Sequence, residues 1–167
     1  MKKTLCAQES ILADMTVKDL SREYPRSPFE MIQGFYWLPR LIDKVRAKQA
    51  ATLGDYTPYP CGADKRFLEH FGIETEALEA FIRTGAGDAE IALWCLENAE
   101  RKPAEVGPEY LRKILGPVAE DRRDYFNEAL ADMKKERPDL DFGGATNFNR
   151  MICIEEGHPI PELSTSA

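Results

Sequence analysis

Apolar residues at helical spacing, cut at short intervals by glycine and proline, constrain this chain more than any other feature. Leu38, Leu41, Ile42 and Val45 recur three and four apart between Trp37 and Thr52, with Gln49 the one break in the stripe. That spacing predicts an amphipathic helix. Pro39 falls in its first turn, where a missing N–H is tolerated, and Gly54 closes the element. The pattern then repeats. Ala63 to Phe71 reads as a helix with Phe67, Leu68 and Phe71 on one face and Gly72 past its end. Thr75 caps the next, with Ala77, Leu78, Phe81 and Ile82 inward, and Asp88 caps another that buries Ile91, Ala92, Trp94, Cys95 and Leu96.

Gly107-Pro108 opens a longer run, broken or kinked at Pro117, whose stripe continues to Met133. Phe148 to Glu156 is readable as helix or short strand, and its spacing favours helix. Upstream, Thr16-Val-Lys-Asp19 resembles a capping box for a short helix to Tyr24. Ser27-Pro28 suggests one further turn over Phe29 to Gln33, ended by Gly34. Asp55 to Gly62 (DYTPYPCG) reads as an irregular loop. With no alternating strands, the expected class is all-α. It is one compact domain of about seven or eight short-to-medium helices, not a simple four-helix bundle. Residues 1–15 read as a loosely held lead-in, 16–160 as the domain and 161–167 as a flexible tail.

A length of 167 residues suffices for one domain with a real core, and 43% hydrophobic with 31% charged residues excludes a globally disordered chain. The net charge of −7 argues against nucleic acid or an anionic membrane as partner. No apolar run is long enough to span a bilayer, and no apolar segment follows the opening lysines, so a cytoplasmic address is expected. Cys6, Cys61, Cys95 and Cys153 form no CxxC pair and read as free thiols. His70 and His158 are far apart, and no HExxH, GxGxxG or P-loop is present, so neither a metal nor a cofactor is expected.

Against that acidic background, six cations (Arg22, Arg26, Arg40, Lys44, Arg46 and Lys48) face three acids (Glu23, Glu30 and Asp43) between residues 22 and 48. Arginine forks suit carboxylate, phosphate or sulfonate, so Arg26, Arg40 and Arg46 are candidate contacts for a small anionic molecule. The competing reading makes them a solvated helix face. Asp43 lies three residues from both Arg40 and Arg46, where either guanidinium can hold it as a clamp. Lys44 is the nearby amine that neighbouring guanidinium groups can turn into a base or nucleophile. Tyr36, Trp37, Tyr56 and Tyr59 bracket the helix and suit a pocket mouth or helix–loop packing equally. Cys61, with Asp64 and Arg66 close by in sequence, is either an inert thiol or one activated by arginine and a helix start.

PRSP at 25–28, Gly34, WLPRLIDKVRA at 37–47, LGDY at 53–56 and CGADKRFLEHFGI at 61–73 together resemble a bacterial family known as domain of unknown function 5069. The likeness is good over about residues 17–100 and weaker beyond. Gly62 departs from the family's usual Cys-Pro-Leu-Asp loop. The resemblance carries no activity, but implies that Arg26, Arg40, Asp43, Lys44, Arg46, Cys61 and Asp64 form a shared constellation. Three functions stay open. One is a metal-free acid/base enzyme (lyase, isomerase or hydrolase) in which Asp43 or Lys44 handles a proton. Another is a non-catalytic ligand-binding module. The third is a helical interaction protein or homodimer.

Overall fold

Leu38–Gln49 (α1) is the centre of the fold. Trp37 precedes it in a left-handed conformation (φ 77°), and Pro39 occupies its first turn. Arg46 and Lys48 lie in the last turn, where cations complement the helix dipole. The stripe Leu38, Leu41, Ile42 and Val45 enters the core as its spacing predicts. The opposite face is not solvated, however. All ten residues from Leu38 to Ala47 are buried, including Arg40, Asp43, Lys44 and Arg46.

The computed structural model describes residues 16–162; the expected lead-in at 1–15, Cys6 and the end of the tail lie outside the described residues. After α1 come Gly62–Phe71 (α2), Thr75–Ile82 (α3), Asp88–Asn98 (α4), Pro103–Leu115 (α5), Arg123–Glu136 (α6) and Phe148–Glu156 (α7). The described residues thus hold seven α-helices in one mostly helical domain, in keeping with the all-α expectation. Their punctuation follows the sequence closely. Gly72 and Gly157 are left-handed at the ends of α2 and α7, and Asn147 caps α7 by accepting from the Arg150 amide. The chain breaks at Gly116-Pro117, then makes a 3-10 turn at Glu120–Arg122 before α6.

Several elements differ from expectation. No helix follows Thr16. The Asp19 carboxylate accepts from the Ser21 amide (3.1 Å) and hydroxyl (2.5 Å), which makes a local turn instead. Residues 29–36 form no helical turn but a hairpin, in which Met31–Ile32 (β1) pairs antiparallel with Phe35–Tyr36 (β2). Gln33 (φ 52°) and Gly34 (φ 85°) both take positive φ, the requirement of a tight two-residue hairpin loop. Thr75 and Asp88 are first helical residues, with Glu74 and Gly87 as caps. α5 starts at Pro103, four residues before the expected opening, and carries Pro108 within it. Trp94 is half-buried, stacked on Phe81 at 5.4 Å.

Two apolar clusters result. The larger is built on α1–α5 and centred on the edge-to-face rings of Phe35, Phe67, Phe71 and Tyr110. The smaller joins α6, α7 and the loop between them through Phe126, Phe142, Ala145 and Met151. A cleft opens where the two clusters fail to meet.

Candidate functional site

The polar face of α1 is buried because each of its charges meets an opposite charge from another element. Asp43 does not pair with Arg40 or Arg46 along the helix. It accepts instead from the Arg26 guanidinium (2.9 and 3.0 Å) and the Arg26 backbone amide (2.8 Å). A forked contact from a separate segment supplies more donors than a neighbour three residues along the same helix can. Arg26 also reaches Asp88, at the start of α4, at 2.6 Å. Arg46 meets the other Asp88 oxygen at 2.8 Å, at an angle that makes no hydrogen bond, and donates to the Ala86 carbonyl. Arg40 makes a two-pronged pair with Glu156 on α7 (2.7 and 2.8 Å) and donates to the Arg26 carbonyl. Tyr56 binds both Arg40 and Glu156. Burial pushes the Tyr56 hydroxyl pKa well above its ordinary value.

The remaining cation of α1 has a different surrounding. The Lys44 ammonium lies 2.5 Å from Asp64 and 3.1 Å from the Cys61 sulfur. Lys44 and Asp64 are almost fully buried, at 2% and 0% exposure. Asp64 is held on three sides: by Lys44, by the Trp37 indole N–H (2.8 Å) and by the Cys61 amide (2.9 Å). Asp64 reaches the Cys61 amide because Cys61 caps α2 and Asp64 is its third residue, the reciprocal half of a capping box. Cys61 itself is only half-buried.

Cys61 and Trp37 lie on the wall of the cleft between the two apolar clusters, a cavity of about 1040 Å³. Its other walls come from α2, the α5–α6 joint and the first turn of α7. Arg66, Arg101, Arg112, Lys113 and Arg122 line it, against Glu69 as the one acidic residue. Lys113 pairs with Glu109 at 3.2 Å, but no described carboxylate lies within ion-pair distance of Arg66, Arg112 or Arg122. Partial desolvation and then the nearby Arg122 charge hold the Arg66 guanidinium below its usual pKa. Arg122 packs on the Phe148 ring, 5.2 Å from its centre.

Of the residues singled out from the sequence, Trp37 and Cys61 reach the cleft, with Lys44 and Asp64 directly behind them. Arg26, Arg40, Asp43 and Arg46 do not line it, nor do Tyr36 and Tyr56. Tyr36 sits half-buried on β2. Arg122 and Arg112 escaped sequence reading, although cations on both sides of the Gly116-Pro117 break were the available signal. No group of three or more His, Cys, Asp and Glu side chains among the described residues is arranged to hold a metal. No helix among them is long and apolar enough to cross a membrane.

A mostly helical domain, built round one buried and fully ion-paired helix and bearing a cationic cleft, is the class these features define. The chain belongs to the family described as domain of unknown function 5069, whose family model matches residues 22–158. No curated protein matches it.

Proposed function

We propose that the chain binds a small anionic molecule, a carboxylate, phosphate or sulfonate, in the cleft, with Arg66 and Arg122 as its principal cationic contacts. The observation that carries this reading is the contrast in pairing. Every cation of α1 except the half-exposed Lys48 is buried against a carboxylate, whereas Arg66 and Arg122 face a large cleft with no described carboxylate in reach. Two guanidinium groups that repel each other across a cavity are relieved by an anion between them. Trp37, Tyr110, Tyr125 and Phe148 give the same cavity apolar walls for the rest of the ligand.

Thermal unfolding with inorganic phosphate and with a panel of small carboxylates and sulfonates tests the reading. A ligand at a hundred times its Kd stabilises by about 2.7 kcal/mol. For a domain of this size that is a rise of about 5–11 °C in Tm. Arg66→Met and Arg122→Met are expected to abolish the rise and leave the Tm without ligand within a few degrees of the parent. An anion-induced rise that survives in the double variant, or no rise with any anion of the panel, refutes it.

A further inference from the structure

The strongest unexplained feature is that a buried ammonium is aimed at a sulfur that opens onto the cleft. We infer that Cys61, Lys44 and Asp64 form a nucleophilic centre that attacks the carbonyl carbon of small anionic acyl compounds seated at Arg66. The inference rests on the anion-binding reading above. Three side chains from two helices carry it, not the thiol alone. Lys44 stands 3.1 Å from the Cys61 sulfur and 2.5 Å from Asp64, whose other oxygen is fixed by Trp37. This is the nucleophile, proton carrier and orienting acid arrangement of covalent catalysis, with lysine in the middle place. A thiolate at Cys61 receives a hydrogen bond from Lys44 and faces the positive end of the ten-residue α2.

The other two described thiols provide the comparison. Cys95 and Cys153 are buried at 0% exposure, and no described lysine hydrogen-bonds to either sulfur. Burial pushes Cys95 up to about 12 and also raises Cys153. Only Cys61 among the described cysteines combines access with a cationic partner.

The chemistry closes without a cofactor. The Cys61 thiolate forms an S–C bond to the carbonyl carbon, and the π electrons move to the carbonyl oxygen. Gly62 and Ala63, the first two residues of α2 after Cys61, line the cleft and carry first-turn amides that no carbonyl within the helix accepts, donors suited to that oxygen. Collapse breaks the bond to the leaving oxygen, which takes the proton that Lys44 no longer donates to a thiolate. Water then adds to the thioester, gives its proton to the Lys44 amine and expels the thiolate. The net change is ester plus water to acid plus alcohol.

Alkylation with iodoacetate and with iodoacetamide, read at each cysteine by peptide mass spectrometry of the native chain, tests the centre. In each reaction the sulfur displaces iodide. Cys61 is expected to react about tenfold or more faster than free cysteine at the same pH, as activated thiols do. It should favour iodoacetate over iodoacetamide relative to free cysteine, and Arg66→Met should remove that preference. Lys44→Met alone strands the buried Asp64 charge, so the Lys44→Met/Asp64→Asn pair is the informative variant. It should slow Cys61 to the rate of free cysteine and keep the iodoacetate preference. The mono-4-nitrophenyl ester of succinic acid should release a burst of one nitrophenolate per chain, lost in Cys61→Ser. A wild-type Cys61 no faster than free cysteine, an unchanged rate in the double variant, or no burst, overturns the nucleophilic centre even where phosphate still stabilises the chain through Arg66. A fast Cys61 whose iodoacetate preference ignores Arg66→Met overturns the anion site instead.

Discussion

Replacing Arg40 by methionine separates a structural arginine from a ligand-binding one. Arg40 is 3% exposed, and its guanidinium reaches Glu156 twice, the Arg26 carbonyl and Tyr56, with Trp37 and Tyr56 rings 5.5 and 5.7 Å from its charged carbon. Burial disfavours its charge, but the Glu156 hydrogen bonds together with the nearby Tyr56, Glu156 and Asp64 charges outweigh that penalty and hold its pKa above the usual value. Methionine fills much of the same space and removes every one of these donors. Glu156, also 3% exposed, keeps only Tyr56 and His158 as polar partners. Breaking a buried pair from one side costs about 3–5 kcal/mol. In a domain of this size that lowers the Tm by about 6–20 °C. Urea unfolding of the parent, Arg40→Met, Glu156→Met and the double variant measures the coupling directly. The double variant should recover much of the loss, because two apolar groups leave no buried charge unpaired. A loss below about 1 kcal/mol in Arg40→Met, the surface-pair range, would show that Arg40 is not a clamp between α1 and α7.

Two further outcomes follow from local geometry. Gly34→Ala places a Cβ 2.8 Å from that of Pro103 at φ +85°, so about 2 kcal/mol or more should be lost in equilibrium unfolding; a neutral result would mean the hairpin and α5 do not meet as described. Glu155 has its pKa raised from 4.5, first by burial and then by the Glu156 charge. The folded chain therefore binds its proton more tightly than the unfolded one, and stability falls as pH rises from about 4.5 through the folded value. Glu155→Gln should raise the Tm at neutral pH, with a gain that fades below about pH 4; a pH-independent change would refute that account.

The helices from residue 38 onward were legible, because apolar spacing, proline and glycine act within a few residues of themselves, but the start of α5 was not, since Pro108 reads as an opening and lies inside the helix. The hairpin at Gln33-Gly34 was not, since a glycine after a short apolar run closes a helix or a strand turn alike until its φ is known. The site was legible in part. Cys61, Lys44, Asp64 and Trp37 were singled out from one stretch of sequence, and they come together with Cys61 and Trp37 on the cleft wall and Lys44 and Asp64 behind it.

What tertiary structure alone decided is where each charge is directed. Residues 22–48 show a surplus of cations, but a guanidinium's role depends on whether a carboxylate from Glu156 or Asp88, far along the chain, reaches it. Those partners neutralise the arginines of α1 and let a charged helix be buried. Arg66 and Arg122, 56 residues apart, line one cavity in which no described carboxylate comes within ion-pair distance of either. Local sequence determined the helices, through spacing that sets which face turns inward. The sign and place of the open charge were left to contacts between distant elements, because Coulomb attraction acts through space and not along the chain.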